Sequence, residues 1–301
     1  MKHIIRIAAI LLMLACLLVL IPTSVASAEI IEYDLKDEKG VPLQQDGYDL
    51  ENMTYEDPSI TVKITTGRYE ETNYMVAYVK VTNPTQVRST MSGRYSTDDT
   101  IGGIAMAKAT NAALAINGDF FSSRRNVGYT ARMGREFKNK CNGTYDVMVL
   151  DDQGNMHIIV APKKQDMIDF KAALEAEGRS IINGYTFGPG LVINGEKQTG
   201  FVNMDNAADR AAQRMCLAQI GPLEYLCISS EGPEDPGSIG LTLEQFADLV
   251  ASFDGVINAY NLDGGSSSTM VFNRDKVNSP NNPKRRPLKD IIYFASAYQP
   301  D

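Results

Sequence analysis

Histidine is nearly missing from this sequence of 301 residues: there are two, and His3 falls in an N-terminal apolar segment, which leaves His157 as the only imidazole of the remainder. That scarcity excludes zinc centres built on several histidines, H-E-x-x-H proteases and histidine-rich two-metal centres. A Ser-His-Asp triad would have to use His157, which follows the turn Asp152-Gln-Gly154 in the apolar run Met156-His-Ile-Ile-Val160 and reads as an ordinary strand residue. Acid–base chemistry is thereby left to carboxylates and tyrosine. Cysteine is sparse too. Cys16 lies in the N-terminal segment, and the odd set Cys141, Cys216 and Cys227 cannot pair completely. Cys216 and Cys227 are placed symmetrically about Gly221-Pro222, so a two-residue loop there would set them opposite each other, at a hydrogen-bonded rung where side chains stand far apart. Buried free thiols are expected, with a disulfide as the other outcome.

Basic residues are outnumbered, 29 Lys and Arg against 37 Asp and Glu, for a formal charge of −8. Nucleic acid is therefore not an expected partner, because its phosphates are bound through surplus Lys and Arg. Any anion must be met by a local basic pocket. Long apolar runs are absent except at the start, where Lys2 and Arg6 precede an unbroken apolar stretch, Ile7 to Ile21, and the small residues Ala26-Ser-Ala28. Fifteen apolar residues fall short of the roughly 20 that cross a bilayer as a helix. The layout is that of a secretory signal. Residues 1–28 are thus expected to be removed on export, taking the formal charge to −10 and leaving a secreted or envelope-associated protein without a membrane anchor. No D-x-D-x-D-G loop or similar spacing demands a divalent cation, and neither metal nor cofactor is expected.

What is present reads as one α+β domain, a largely antiparallel β-sheet assembly with a few packed helices, over residues 58–301, preceded by an acidic extended arm at 29–57. Ile60-Thr-Val-Lys-Ile64 alternates as a half-buried strand, and Tyr74 to Val81 is a second. Hairpins are expected at 145–150/156–160, at Gly190–Ile193 with the turn Asn194-Gly195, and at 215–220/225–229. Gln165 to Glu177 is a predicted helix with Met167, Phe170, Ala173 and Leu174 inward and Gly178 as its stop. Thr242 caps another, with Gln245 reaching back and Phe246, Leu249 and Val250 as the apolar stripe.

Two strand ends carry candidate chemistry. In Asn261-Leu-Asp263-Gly264-Gly265-Ser266-Ser267-Ser268-Thr269 a carboxylate ends an apolar strand, and the glycines can turn successive N–H groups towards an anion while the hydroxyls add donors. Asp-Gly also makes ordinary tight turns. In Ala115-Ile-Asn117-Gly118-Asp119-Phe120-Phe121 an amide and a carboxylate stand beside aromatic rings, the mixture a sugar site uses, although two core Phe beyond a turn would read the same way.

Together with the rest of the chain these segments resemble the phosphodiester glycosidase family, the domain of the lysosomal uncovering enzyme and of many bacterial exported proteins. The likeness runs in order from about residue 55 to 296: Tyr55-Glu-Asp57-Pro58, Asn117-Gly-Asp119-Phe-Phe121, Gly128-Tyr129 with Arg132-Met-Gly134, Phe187-Gly-Pro-Gly-Leu-Val192, Gly240-Leu-Thr-Leu243, Asn261-Leu-Asp-Gly-Gly265, Val277-Asn-Ser-Pro280 and Arg286-Pro-Leu288. Two departures stand out: Gln213-Arg214-Met-Cys-Leu-Ala218 replaces the family's P-R-T-A-I-G strand, and Glu231-Gly232 replaces its later D-G turn.

The resemblance implies hydrolysis of a sugar-1-phosphodiester, of the N-acetylglucosamine-1-phosphodiester type, in a glycan or glycophosphate. An oxocarbenium-like centre needs a carboxylate near the anomeric carbon and cations on the departing phosphate. Asp263 and Asp119 are the expected carboxylates with Glu231 in reserve. Arg214, Arg286 and Arg132 are candidate phosphate clamps. Asn117 and Asn261 would orient hydroxyls, and Gly264, Gly265, Ser267 and Ser268 would line the phosphate. Arg210 lies one turn from Arg214 if 205–213 is helical. The altered strand at Arg214 leaves open a non-catalytic glycan-binding or surface-assembly protein with the same fold.

Overall fold

The computed structural model describes residues 28–121, 126–202, 206–281 and 285–300; the expected signal lies outside them, apart from Ala28. The chain divides into a compact unit, Ile30–Tyr298, and a second formed by its two ends, of which Ala28, Glu29, Gln299 and Pro300 are described. Among the described residues, no helix is long and apolar enough to cross a membrane.

Three antiparallel sheets build the unit Ile30–Tyr298. The largest has nine strands in the order Glu196–Lys197, Gly190–Ile193, Asn258–Asn261, Arg214–Gly221, Glu224–Ser230, Thr72–Val81, Ile60–Tyr69, Thr54–Asp57 and Tyr48–Asp49. A five-stranded sheet sets Ala112–Asn117 between Met270–Phe272 and Asp290–Ala295, with Asp275–Lys276 and Val87–Met91 at its edges. The other five-stranded sheet runs Met156–Ile159, Val147–Asp151, Ile181–Tyr185, Gly128–Arg132 and Arg135–Lys140. This is the expected α+β architecture. Strands from all three sheets send Val62, Ile64, Val79, Leu114, Ile116, Met148, Tyr185, Leu217, Tyr260 and Ile292 into one shared core, and Ala112–Asn117 and Val147–Asp151 are buried on both faces, which is why they read as unbroken apolar runs. Thr54–Asp57 pairs with the start of Ile60–Tyr69, and Tyr55 is completely buried, so the chain on either side of residues 57 and 58 forms one hairpin.

The helices cover sheet faces. Leu243–Ala251 is capped as its sequence predicts: Thr242 Oγ1 accepts from the Gln245 amide while Gln245 Oε1 accepts from the Thr242 N–H, and Phe246, Leu249 and Val250 are buried. Lys164–Ala176 buries Met167 and Leu174 and half-buries Phe170, but Ala173 is exposed. Met167 and Leu174 pack on Tyr129, Val147, Val149 and Ile181, on the face of the sheet that holds Val147–Asp151. Residues 206–213 are not helical; they form turns ending in a bridge between Ala212 and Leu241, and Asp205 lies outside the described residues.

The expected position of Cys216 opposite Cys227 is also corrected, although the free thiols expected there are found. The loop is Pro222-Leu223 and the ladder slips between Gln219 and Gly221, so Cys216 faces Ile228 and Leu217 faces Cys227. A one-residue shift sends neighbours to opposite faces: Cys227 enters the shared core, and Cys216 packs beneath the capped helix. Both are buried free thiols, as is Cys141, and burial pushes all three well above ordinary thiol values.

Candidate active site

The three sheets meet at one end, where their strands stop. Asn117 ends the central strand of one five-stranded sheet, Asn261 ends a strand of the nine-stranded sheet, and Arg132 and Tyr185 end neighbouring strands of the third. The first two ends are tied together directly. The Asp263 N–H donates to Gly118 O at 3.3 Å, and Asn117 Nδ2 donates to Asp263 O at 2.7 Å. Asn117 Oδ1 accepts from the Thr269 N–H at 3.0 Å. Asn117 is therefore the stitch between the loops, its amide occupied at both ends, rather than a reader of sugar hydroxyls.

Behind the stitch lies a buried ion cluster. Arg132 donates through Nη2 to Asp119 Oδ1 at 2.7 Å and through Nε to Asp290 Oδ2 at 2.8 Å, and Nη1 bonds the Gly184 carbonyl. Asp119 Oδ2 accepts from the Thr186 N–H at 2.7 Å. All three charged groups are 3% exposed or less. Burial works against the Arg132 charge, but Asp290 and Asp119 together hold its pKa above the ordinary value. Burial raises the Asp290 carboxyl, against the pull of Arg132. Arg132 is thus committed to carboxylates and is not a free phosphate clamp. Gly118 is required beside this cluster because a Cβ there would collide with the Asp290 carboxylate.

Asp263 stands at the same place, tied through its backbone to Gly118 and Asn117. It is half-buried, and burial raises its pKa, with Ser267, Arg286 and the Gly264 N–H acting against that and Asp119 adding to it. Ser267 Oγ is itself buried and without a hydrogen-bond partner, although it lies close enough to weigh on the Asp263 charge. Gly264 must be glycine, because a Cβ would strike Gln213 O. The Gly265 N–H donates to Gln213 O at 2.8 Å, and the following amides close a 3-10 turn, Ser267 N–H to Gly264 O and Ser268 N–H to Gly265 O. The glycine pair therefore docks the loop on Gln213, and the amides of Gly265, Ser267 and Ser268 do not converge on an anion. Ser268 Oγ is occupied by Ser229 and Asn278. Asn261 Nδ2 binds Gly188 O at 2.8 Å, leaving Oδ1 buried and unpaired.

Arg286 is an exposed cation at the site. Its guanidinium lies over the Phe120 ring at 4.2 Å, and its charge acts on Asp263. Arg214 is not available to grip a phosphate. It is 3% exposed, and its guanidinium donates to the carbonyls of Leu241, Asn206, Ala207 and Arg210. Burial, then the Arg210 charge, lowers its pKa to about 10. Glu231 stands elsewhere. Its carboxylate accepts from Asn73 and Ser238 in a cavity lined also by Arg68, Tyr74, Asn278 and Ser279, and Asp119, Asp263 and Arg286 do not line that cavity.

Structure adds Asp290 and Thr186 to the residues read from sequence. Asp290 opens the strand that the sequence suggests to begin at Ile291; its signal is that of a third carboxylate at a strand mouth, after Asp119 and Asp263. Thr186 acts through its backbone N–H, which no residue type announces. Among the described residues no group of three or more His, Cys, Asp or Glu converges to hold a metal ion.

The phosphodiester glycosidase family matches residues 110–295, a span that takes in every element of this site. The chain belongs to that family. No curated protein sequence matches it. Among solved structures, this phosphodiester glycosidase-family chain is similar to the catalytic domain of zebrafish N-acetylglucosamine-1-phosphodiester alpha-N-acetylglucosaminidase, auto-inhibited by its pro-peptide, with 16% identity over 86% of this chain and 87% of that one and a TM-score of 0.63. It is also similar to a hypothetical protein from Synechocystis (15% identity, 78% and 62% covered, TM-score 0.50) and to a protein of Burkholderia pseudomallei K96243 (14%, 74% and 74%, 0.50). At these identities the structures share the fold of the family chain.

Proposed function

We propose that this protein is an exported hydrolase that cleaves the bond between a sugar's anomeric carbon and a phosphodiester oxygen, of the N-acetylglucosamine-1-phosphodiester type. The observation that carries the reading is the convergence of Asp119 and Asp263, 144 positions apart in the sequence, at one mouth beside the exposed guanidinium of Arg286.

Each group then has a distinct part in the reaction. Asp119, locked by Arg132 and Thr186, is a fixed negative charge next to the forming oxocarbenium centre. Asp263, half-buried and raised in pKa, takes the proton of the attacking water; a carboxylate whose pKa lies closer to neutrality is the better base. Arg286 grips the phosphate, which departs with the electrons of the C1–O bond as a stable phosphomonoester and needs little help from an acid. Water supplies the new C1–O bond, so the products are the free sugar and the phosphomonoester. Phe120, held beneath Arg286, offers an apolar edge to the sugar.

The test is a panel of glycosyl phosphodiesters assayed with the purified protein and with Asp263→Asn. Losing the base is expected to lower kcat/KM by about 10²–10⁴ with thermal unfolding unchanged. A variant that keeps most of its activity removes Asp263 from this role. Binding of the panel without turnover by the parent protein replaces the hydrolase reading with a glycan-binding one.

A further inference from the structure

A second cavity, about 490 Å³, opens beside the carboxylate cluster and is lined by Arg94, Tyr95, Ser96, Arg135, Phe137 and Met91 together with Gly93. It joins the site through a ladder of rings. Arg132 lies over Phe121 at 5.4 Å, Phe121 stacks on Tyr95 at 5.3 Å, Tyr95 on Phe137 at 5.0 Å, and Arg135 covers Phe137 at 4.8 Å. One end of the ladder is therefore the arginine that holds Asp119, and the other is an exposed guanidinium.

The charge of this cavity runs against that of the protein. The chain carries −8, yet among the described residues two arginines and no carboxylate line this hollow. Arg88, Arg132 and Arg214 are buried and committed to internal partners, and Arg179 pairs with Asp151 and Glu177. Arg94 and Arg135 are exposed, and among the described residues neither has a carboxylate partner. A lone exposed arginine is ordinary solvated surface. Two of them, brought together from a loop and a strand around a concavity, with one guanidinium oriented by stacking, form a receptor for a planar or tetrahedral oxyanion.

We propose that this cavity is an anion subsite for the substrate, receiving the next phosphate along a polymeric glycosyl phosphate whose scissile linkage lies at Asp119 and Asp263. The inference rests on the hydrolase reading and narrows it to a substrate with repeated phosphates. Arg94 and Arg135 bind the second phosphate, and the half-buried rings of Tyr95 and Phe137, which line the same cavity, flank the sugar between the two phosphates.

The test uses the full protein carrying Asp263→Asn, so that substrates persist, and two synthetic probes: a glycosyl phosphodiester with one phosphate and a trimer of the same unit with three. Calorimetry is expected to show the trimer binding about tenfold more tightly than the monomer, with a steeper salt dependence, as charge-assisted contacts require. Adding Arg94→Gln and Arg135→Gln should bring the trimer-to-monomer ratio close to one. A ratio that the two changes leave intact overturns the subsite. If the paired change disturbs folding, Arg94→Gln alone decides by the same ratio, because among the described residues the arginines stacked on the ladder are Arg132 and Arg135. Parent protein that hydrolyses neither probe while the arginine-dependent ratio persists overturns the hydrolase reading and leaves the subsite standing. Hydrolysis with a ratio insensitive to arginine does the reverse.

Discussion

Arg132 and Arg214 are both buried to 3% exposure, sit within three positions of a strand end or start, and belong to segments that resemble the same family. Their surroundings are opposite. Arg132 is enclosed by two carboxylates and its pKa is raised; Arg214 is enclosed by four backbone carbonyls, and its pKa is lowered to about 10. A charge answered by charge belongs to the electrostatics of the site. A charge answered, among the described residues, by carbonyl dipoles closes a loop, here tying 206–210 and Leu241 to the first strand residue of Arg214–Gly221. Burial of an arginine therefore says little about its role until its acceptors are known.

Removing Arg132 is the most severe way to probe this contrast. Arg132→Met leaves Asp119 and Asp290 buried without a cation, and breaking such a pair costs about 3–5 kcal/mol. Chemical denaturation should show that loss, and adding Asp119→Asn with Asp290→Asn should restore much of it, because the neutral amides no longer need compensation. A destabilisation unaffected by neutralising the carboxylates would mean that Arg132 matters for its packing on Tyr185, 3.9 Å away, rather than for charge.

Arg214→Met is expected to be somewhat milder, about 2–3 kcal/mol, since carbonyls lose donors but no ion is stranded. No second-site change of charge should rescue it. Measured next to Arg132→Met, it turns the comparison into two numbers: one sensitive to carboxylate neutralisation, the other not.

Much of this is legible in the sequence, and the places where sequence and structure part share a cause. Alternation and punctuation locate the strands, the Thr242 cap is readable because its two partners are three residues apart, and the two strand-end loops meet as their carboxylates suggest. Those signals are local. Whether Asn117 reads a ligand or stitches two loops depends on Asp263, 146 residues away; whether Arg214 is free depends on Leu241, 27 away. Residue type records capacity to hydrogen-bond, not the partner that takes it up. The Cys216 register departs from its symmetric spacing for a related reason, since one slipped rung near Gly221 exchanges the faces of both thiols. Asp290 is inconspicuous because the strand it opens reads most strongly at its apolar centre.

Arg286 extends the comparison to an arginine with no internal role. Exposed and held over Phe120, it should contribute to substrate alone: Arg286→Met is expected to lower kcat/KM by about ten- to a hundredfold, the scale of one charged hydrogen bond, while leaving unfolding unaltered within about 0.5 kcal/mol. Equal kinetics for the variant and the parent would return the phosphate to some other donor.

The smallest effect, and the most specific to the ion cluster, is its dependence on pH. Burial raises the folded-state pKa of Asp290 even though Arg132 opposes it. The folded protein therefore holds that proton at pH values where the unfolded chain has released it, and stability falls as pH rises from the ordinary carboxylate range through the raised value. Asn at 290 keeps a side-chain oxygen for Arg132 without the cost of burying a charge. Relative to the parent, Asp290→Asn should gain on the order of 1–2 kcal/mol between pH 4 and pH 8 in urea titrations. No such change is expected for Arg214→Met, whose hydrogen-bond partners among the described residues are carbonyls with no proton to titrate. A parent protein that instead gains on Asp290→Asn as pH rises would show that the ionised carboxylate is net favourable in its pocket, and that Arg132 outweighs burial there.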